Sequence, residues 1–98
     1  MSKLRNPQIE MLFQAILSLK TTDECALFFE DICTVKETQA MAQRLQVARE
    51  LDAGRNYNEV CADTGASSAT ISRVNRCLNY GEGGYRIALT RLKERNEP

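Results

Sequence analysis

The sequence contains no histidine and no tryptophan, and only two prolines and five glycines in 98 residues. Without histidine, no imidazole can act as base, nucleophile or metal ligand. So few prolines and glycines argue against a disordered or loop-rich chain. No apolar run approaches the ~20 residues that span a bilayer, and no signal peptide opens the chain. These absences predict a cytoplasmic helical domain with no membrane partner.

Net charge is also absent, because 13 lysines and arginines balance 13 aspartates and glutamates. Bulk charge therefore gives no reason to expect a polyanionic ligand. The distribution is uneven, however: residues 21–53 hold three basic and seven acidic side chains, so the remainder carries +4. Between Gly65 and Gly81 stand Arg73 and Arg76 and no acid. This segment is where we expect a face that meets an anion.

The four cysteines are spaced too widely for a structural zinc site. They are Cys25, Cys33, Cys61 and Cys77. Each falls on an apolar helical stripe, so we expect small packing residues in a reducing compartment, with a thiol switch or disulfide as the alternative. No metal, no cofactor and no catalytic group is expected, since paired carboxylates and a phosphate-binding glycine loop are missing too. The sequence does not predict an enzyme.

Helical periodicity of apolar residues extends through almost the whole chain, and no segment has the pattern of a strand. Capping residues mark the helix boundaries. They are Asn6 with Pro7 for a first helix, Thr22 with Asp23 and Glu24 for a second, and Thr34 with Glu37 and Gly54 for a third. A last helix is expected from about Tyr85. The apolar residues of the third helix cover more than one narrow stripe, which predicts burial on two sides.

Residues 56–80 have the pattern of a helix-turn-helix. Asn56 with Glu59 caps a short helix that ends near Thr64, and Gly65 suits the tight turn because glycine tolerates positive φ. Ser67 then caps a further helix from Ser68 to about Asn79. The two helices cross at positions that need apolar or small side chains. Those positions are Val60, Cys61, Gly65, Ala66, Ile71 and Val74.

The outward face of the second of these helices carries small, hydroxylated and basic side chains, which suit insertion into a DNA major groove. The predicted DNA-binding residues are Asn58, Ser67, Ser68, Ala69, Thr70, Ser72, Arg73 and Arg76. The alternative is a helical hairpin whose serine-rich face is merely solvated.

Three segments in order, TVKETQAMAQRLQVARELDAG, GASSATISRVNRCLNYG and GYRIALTRL, resemble the Trp repressor superfamily, specifically its YerC/YecD type. The resemblance spans roughly residues 25–95. It implies an all-α, six-helix fold that forms an intertwined homodimer. It also implies one domain over residues 1–98, with dimer-core helices at 1–55 and 84–98 and the helix-turn-helix as reading head at 56–80.

The resemblance further implies a small-molecule effector pocket. The family's repressor binds tryptophan between two arginines, which correspond to Arg44 and Arg73, beside a threonine that corresponds to Thr34. Two other positions depart from the repressor: Val74 replaces a glycine beside the indole, and Cys77 replaces a serine that accepts the amino group. Overfilling a packed site costs ~1–3 kcal/mol, so we expect that any effector is not tryptophan in the usual pose.

Together these observations predict a sequence-specific transcriptional regulator that acts as a repressor. As a dimer it is expected to bind double-stranded DNA at a near-palindromic operator. The alternative is a helical dimeric adaptor that binds proteins and has no DNA specificity.

Overall fold

The computed structural model describes residues 5–96, and the ends of the chain at 1–4 and 97–98 lie outside it. That part consists of six α-helices and no strand, which confirms the all-α prediction. The helices are α1 (Pro7–Ser18), α2 (Thr22–Ile32), α3 (Val35–Asp52), α4 (Tyr57–Thr64), α5 (Ser68–Tyr80) and α6 (Gly84–Asn96). No helix among the described residues is both long and apolar enough to cross a bilayer.

Capping side chains place the first helix boundaries where the sequence predicts them. The Asn6 side-chain oxygen accepts a hydrogen bond from the Ile9 amide at 2.9 Å and starts α1. At α3 the capping box is reciprocal: the Thr34 hydroxyl accepts from the Glu37 amide at 3.1 Å, and the Thr34 amide donates to the Glu37 carboxylate at 2.8 Å. Helix α2 begins at Thr22 as predicted, and Thr21 supplies its cap.

The chain forms two compact units, one up to Thr38 and one from Gln39 onward. The first unit contains α1 and α2, and neither helix has a fully buried side chain. Phe28 and Phe29 meet edge to face, with ring centroids 5.7 Å apart. Much of the apolar surface of this unit faces outward, with Leu17 76% exposed.

The second unit has a continuous apolar core to which α3, α4, α5 and α6 all contribute. Its buried members are Val47, Ala48, Val60, Ala66, Ile71, Val74, Leu78 and Leu89. On α5 the buried positions recur three and four residues apart, as one face of a helix requires. Helix α4 packs closely on α5, and α5 packs on α6. The core therefore packs α4 and α5 against α3 and α6.

The cysteines differ from the sequence expectation. Cys25 and Cys33 are half-buried, but Cys61 and Cys77 are exposed. The prediction that all four are packing residues is therefore wrong for Cys61 and Cys77. Cys61 directly follows the buried Val60 and is turned by about 100° from it around α4, which takes it out of the core and into an exposed position.

Candidate nucleic-acid interface

Residues 56–80 form two helices joined by a tight glycine turn. Asn56 and Glu59 make a reciprocal capping box at the start of α4, with hydrogen bonds of 2.9 and 3.0 Å. Gly65 ends α4 in the left-handed region with φ +72°, and its amide donates to the Cys61 carbonyl at 2.9 Å. A residue with a Cβ is strained at this φ, which is why glycine suits the turn. The chain is thereby redirected into α5.

The inner face of this motif has the predicted apolar contacts. Val60 on α4, Ala66 after the turn, and Ile71 and Val74 on α5 are each at most 2% exposed. The prediction that these four side chains face the core is confirmed. Cys61 was predicted among them and is exposed, so that position does not serve the helix crossing.

The outer face of α5 is open. Ser68, Ala69, Ser72, Arg73 and Arg76 are all exposed. Buried and exposed side chains lie on opposite sides of this helix, because Ile71, Val74 and Leu78 occupy the side turned away from these residues. A helix that inserts into a groove needs this separation. The geometry thus provides an exposed helix face with small and basic side chains, and it excludes a single continuous helix through Gly65.

The N-terminus of α5 is partly occupied by its own cap. The Ser67 hydroxyl accepts from the Thr70 amide at 3.2 Å and contacts the Thr70 hydroxyl at 3.1 Å. Thr70 is half-buried, whereas Ser67 is exposed. Asn58 is exposed in the first turn of α4. The eight predicted DNA-binding residues therefore lie on the helix-turn-helix, with Thr70 the least accessible.

Electrostatics favour an anion on this face. No acidic residue occurs between Gly65 and Gly81. Among residues 5–96, neither Arg73 nor Arg76 takes part in an ion pair. Two guanidinium groups without an ion-pair partner among these residues attract phosphate, and the N-terminus of the same helix, one turn and more before them, adds positive potential of its own. The balanced total charge conceals this local excess.

The predicted effector residues are only partly brought together. An open depression of about 210 Å³ lies between α3 and α5 and is lined by Ala40, Gln43, Arg44, Thr70 and Arg73. It includes both predicted arginines. Val74 does not line it, because its side chain is 1% exposed and belongs to the core, and neither does the exposed Cys77. Thr34 acts as the cap of α3.

Sequence reasoning did not single out Arg55, which lies between α3 and α4. Its guanidinium contacts three carboxylates, those of Glu50, Glu59 and Asp63. The hydrogen bond to Asp63, supported by attraction to all three acids, raises the pKa of Arg55 above its ordinary value. Glu59 and Asp63 stand four and eight residues after Arg55, a helical spacing that carried part of this signal. Glu50 lies on the preceding helix and needed the fold to bring it near.

A second polar cluster ties α3 to α5 and α6. Asp52 accepts a hydrogen bond from Arg86 and pairs with Lys93 at 3.3 Å. Arg86 also donates to the side chain of Asn79 on α5 at 3.2 Å. Asn79 follows Ser72 by seven residues, so this contact lies along the exposed side of α5, toward its C-terminal end.

The fold and the exposed basic helix define a class: an all-α protein with a helix-turn-helix. Comparison with known proteins adds the family, since a family model described as Trp repressor protein matches residues 7–93. The chain is 55% identical over 92 residues to the uncharacterized protein YerC of Bacillus subtilis (strain 168), covering 94% of this chain and 88% of that protein. The chain belongs to the Trp repressor family, a family of DNA-binding regulators.

Solved structures agree with the family assignment. A TrpR-like protein from Eubacterium eligens ATCC 27750 is 53% identical, with a TM-score of 0.89 over 93% of this chain and 94% of that one. A candidate Trp repressor from Staphylococcus aureus is 46% identical, with the same TM-score over 93% of this chain and 91% of that one. The predicted resemblance and the six-helix fold are confirmed.

Proposed function

We propose that this chain is a sequence-specific transcriptional repressor that binds a near-palindromic operator as a homodimer. The observation that carries the proposal is the outer face of α5. Ser68, Ala69 and Ser72 expose small side chains there, and Arg73 and Arg76 on the same face have no ion-pair partner among the described residues. A helix face that only contacts solvent would be free to carry acidic side chains as well as basic ones, so the absence of acids favours an anionic partner.

The chemistry of each side chain suggests its contact. A major groove about 12 Å wide admits α5, with its small residues against the base edges. Ala69 suits a thymine methyl group, and the hydroxyls of Ser68 and Ser72 suit base edges or phosphate oxygens. Arg73 and Arg76, three residues apart on one side of α5, suit phosphate oxygens along the edge of the groove. Ser67, Thr70 and Asn58 add contacts to the backbone at the helix starts.

Two-fold symmetry completes the proposal. Two reading helices related by a dimer axis engage successive major grooves when they are about 34–36 Å apart, which requires a nearly palindromic site. The exposed apolar residues of α1 and α2 support a dimer, because an amphipathic helix ordinarily buries its apolar side. In this proposal the dimer core is formed by residues 1–55 and 84–98.

Selection from a random DNA pool tests the function directly. The purified protein is incubated with random duplexes, and bound DNA is amplified and sequenced over several rounds. We expect enrichment of an inverted repeat whose half-sites are about one helical turn apart, roughly 10 bp. A pool that stays random would contradict the proposal and favour the protein-binding adaptor.

We also propose that any effector is not tryptophan bound in the usual pose. The Arg44 and Arg73 side chains line one depression, which supports an anionic group there, but Val74 is packed in the core where the repressor has glycine. Isothermal titration with tryptophan should therefore give no micromolar binding. Micromolar binding that Arg44→Ala removes would overturn this part of the proposal and leave DNA binding itself untouched.

A further inference from the structure

The Arg55 guanidinium connects the end of α3 to two carboxylates on α4. Arg55 Nη1 lies 3.1 Å from Glu50 Oε1 and also pairs with Asp63, and Nη2 lies 3.9 Å from Glu59 Oε2. Glu50 belongs to α3, whereas Glu59 and Asp63 stand one turn apart on α4. The Arg55 amide also donates to the Glu50 carbonyl at 3.1 Å. Backbone and side chain of the same residue therefore fix this junction.

The arrangement depends on Arg55 because Glu50 is nearly buried, with 6% of its surface exposed. Its other side-chain partner is Gln46, whose amide donates at 2.9 Å. A buried carboxylate without a countercharge is strongly unfavourable. Without Arg55, Glu50 would also face two further acids on α4. The cation thus determines whether α4 can rest against this end of α3.

A second contact anchors the other end of α4. The Gln43 amide on α3 donates to the carbonyl of Thr64, the last residue of α4, at 3.1 Å. Helix α4 in turn packs closely on α5, and Val60 of α4 and Ile71 of α5 belong to the same buried core. A helix held at both ends to α3 transmits its orientation to α5, because a packed core does not deform continuously.

We propose that Arg55 is a positioning residue, which holds α4, and through it the reading helix α5, in the DNA-binding orientation on α3 without touching DNA. The inference rests on the proposed function. Arg55 is not offered as a phosphate contact because three carboxylates already surround its charge, in contrast to Arg73 and Arg76.

The salt dependence of DNA binding separates positioning from phosphate contact. Affinity for the selected duplex is measured at several salt concentrations for wild type, Arg55→Gln and Glu82→Gln. Glu82 is the control, since it is exposed in the α5–α6 linker, outside the cluster, the predicted DNA-binding residues and the proposed dimer core, and its substitution also changes the net charge by one. We expect Arg55→Gln to bind more than about tenfold more weakly with an unchanged log–log slope, and Glu82→Gln to change affinity by less than about threefold.

Two outcomes would overturn the proposal. Unchanged affinity would show that the cluster does not set the orientation of α5. A slope reduced by about one for each lost contact would show that Arg55 neutralises a phosphate. If Arg55→Gln does not fold, Arg55→Lys replaces it, because lysine keeps the charge but lacks the fork that reaches several acids. We expect intermediate affinity for Arg55→Lys, and wild-type affinity would contradict the role.

Amide hydrogen exchange provides a readout that does not need DNA. In Arg55→Gln, or in Arg55→Lys if that variant replaces it, we expect the amides of α4 to lose protection while those of α1 and α2 keep theirs. Unchanged protection of α4 would overturn the proposal. If wild type selects no DNA sequence, the proposed function fails, and the exchange measurement still decides whether Arg55 holds α4.

Discussion

Ile71 and Ser72 are adjacent in the sequence and occupy opposite environments. Ile71 is 1% exposed in the core, whereas Ser72 lies on the open face of α5. A turn of about 100° between successive helical residues accounts for the difference. The two positions therefore separate the stability of the helix-turn-helix from its proposed contact with DNA.

Substitutions at these positions should affect different measurements. Ser72→Glu places a negative charge where a phosphate or base edge would lie, so we expect DNA affinity to fall more than about tenfold, ~1.4 kcal/mol, with little change in thermal unfolding. Ile71→Asp buries an unpaired carboxylate, and we expect unfolding of the reading head at a cost of about 4 kcal/mol or more. Gel-shift titration and thermal denaturation are run on both variants. Similar behaviour of the two would show that the face assignment is wrong.

At the scale of the helices, the boundaries were predictable because short polar side chains mark them. Asn6, Thr34 and Ser67 each supply a local hydrogen bond to a helix start, and this depends only on residues three positions away. The turn at Gly65 was equally predictable, since few residues other than glycine adopt a left-handed backbone conformation. Local chemistry thus predicted the order of the helices.

The parts that could not be predicted depend on which residues the fold brings together. The contact of Arg55 with Glu50 follows from the way α4 leaves α3, and no periodic pattern encodes it. The exposure of Cys61 and Cys77 depends on which flank of α4 and α5 faces the core. Val74 presented a similar ambiguity, because a residue on the inner flank of α5 can line a pocket or fill the core, and the structure places it in the core.

The capping box of α3 gives a pH dependence that can be measured. The Thr34 amide donates to the Glu37 carboxylate, and this hydrogen bond, together with that of the Thr34 hydroxyl, lowers the pKa of Glu37. A carboxyl whose pKa is lower in the folded state stabilises the fold above the unfolded pKa of about 4.3. That contribution is lost as the pH falls through the lowered folded value.

The variant Glu37→Gln tests this dependence, since glutamine keeps an acceptor oxygen but cannot ionise. Near neutral pH we expect wild type to have the larger free energy of unfolding, and we expect the difference to shrink and vanish as the pH falls below the range of the folded carboxyl. Chemical denaturation across that range measures it, with Glu82→Gln in the α5–α6 linker as the control. A difference that does not vary with pH would contradict the role of the ionised carboxylate.

At the scale of the whole molecule, two features fit an assembly better than a lone chain. The formal charge is zero, so the proposed attraction to DNA would depend on concentrating Arg73 and Arg76 on one face rather than on a net field. Large apolar side chains also remain exposed on α1, α2 and the start of α3. They are Met11, Leu17, Leu27, Ile32 and Val35. A second copy of the chain would cover such residues and double the number of reading helices.

Sedimentation equilibrium should therefore find a species of about twice the 11.0 kDa chain mass. Leu17→Lys is informative because Leu17 is 76% exposed in the single chain. In a monomer, a substitution at so exposed a site changes stability by less than about 0.5 kcal/mol. In a dimer that buries Leu17, the new charge weakens association, lowers the unfolding temperature and reduces DNA affinity together. Gln8→Lys introduces the same charge on the opposite side of α1 and should leave association unchanged; equal effects of the two variants, or a monomeric wild type, would contradict an interface at Leu17.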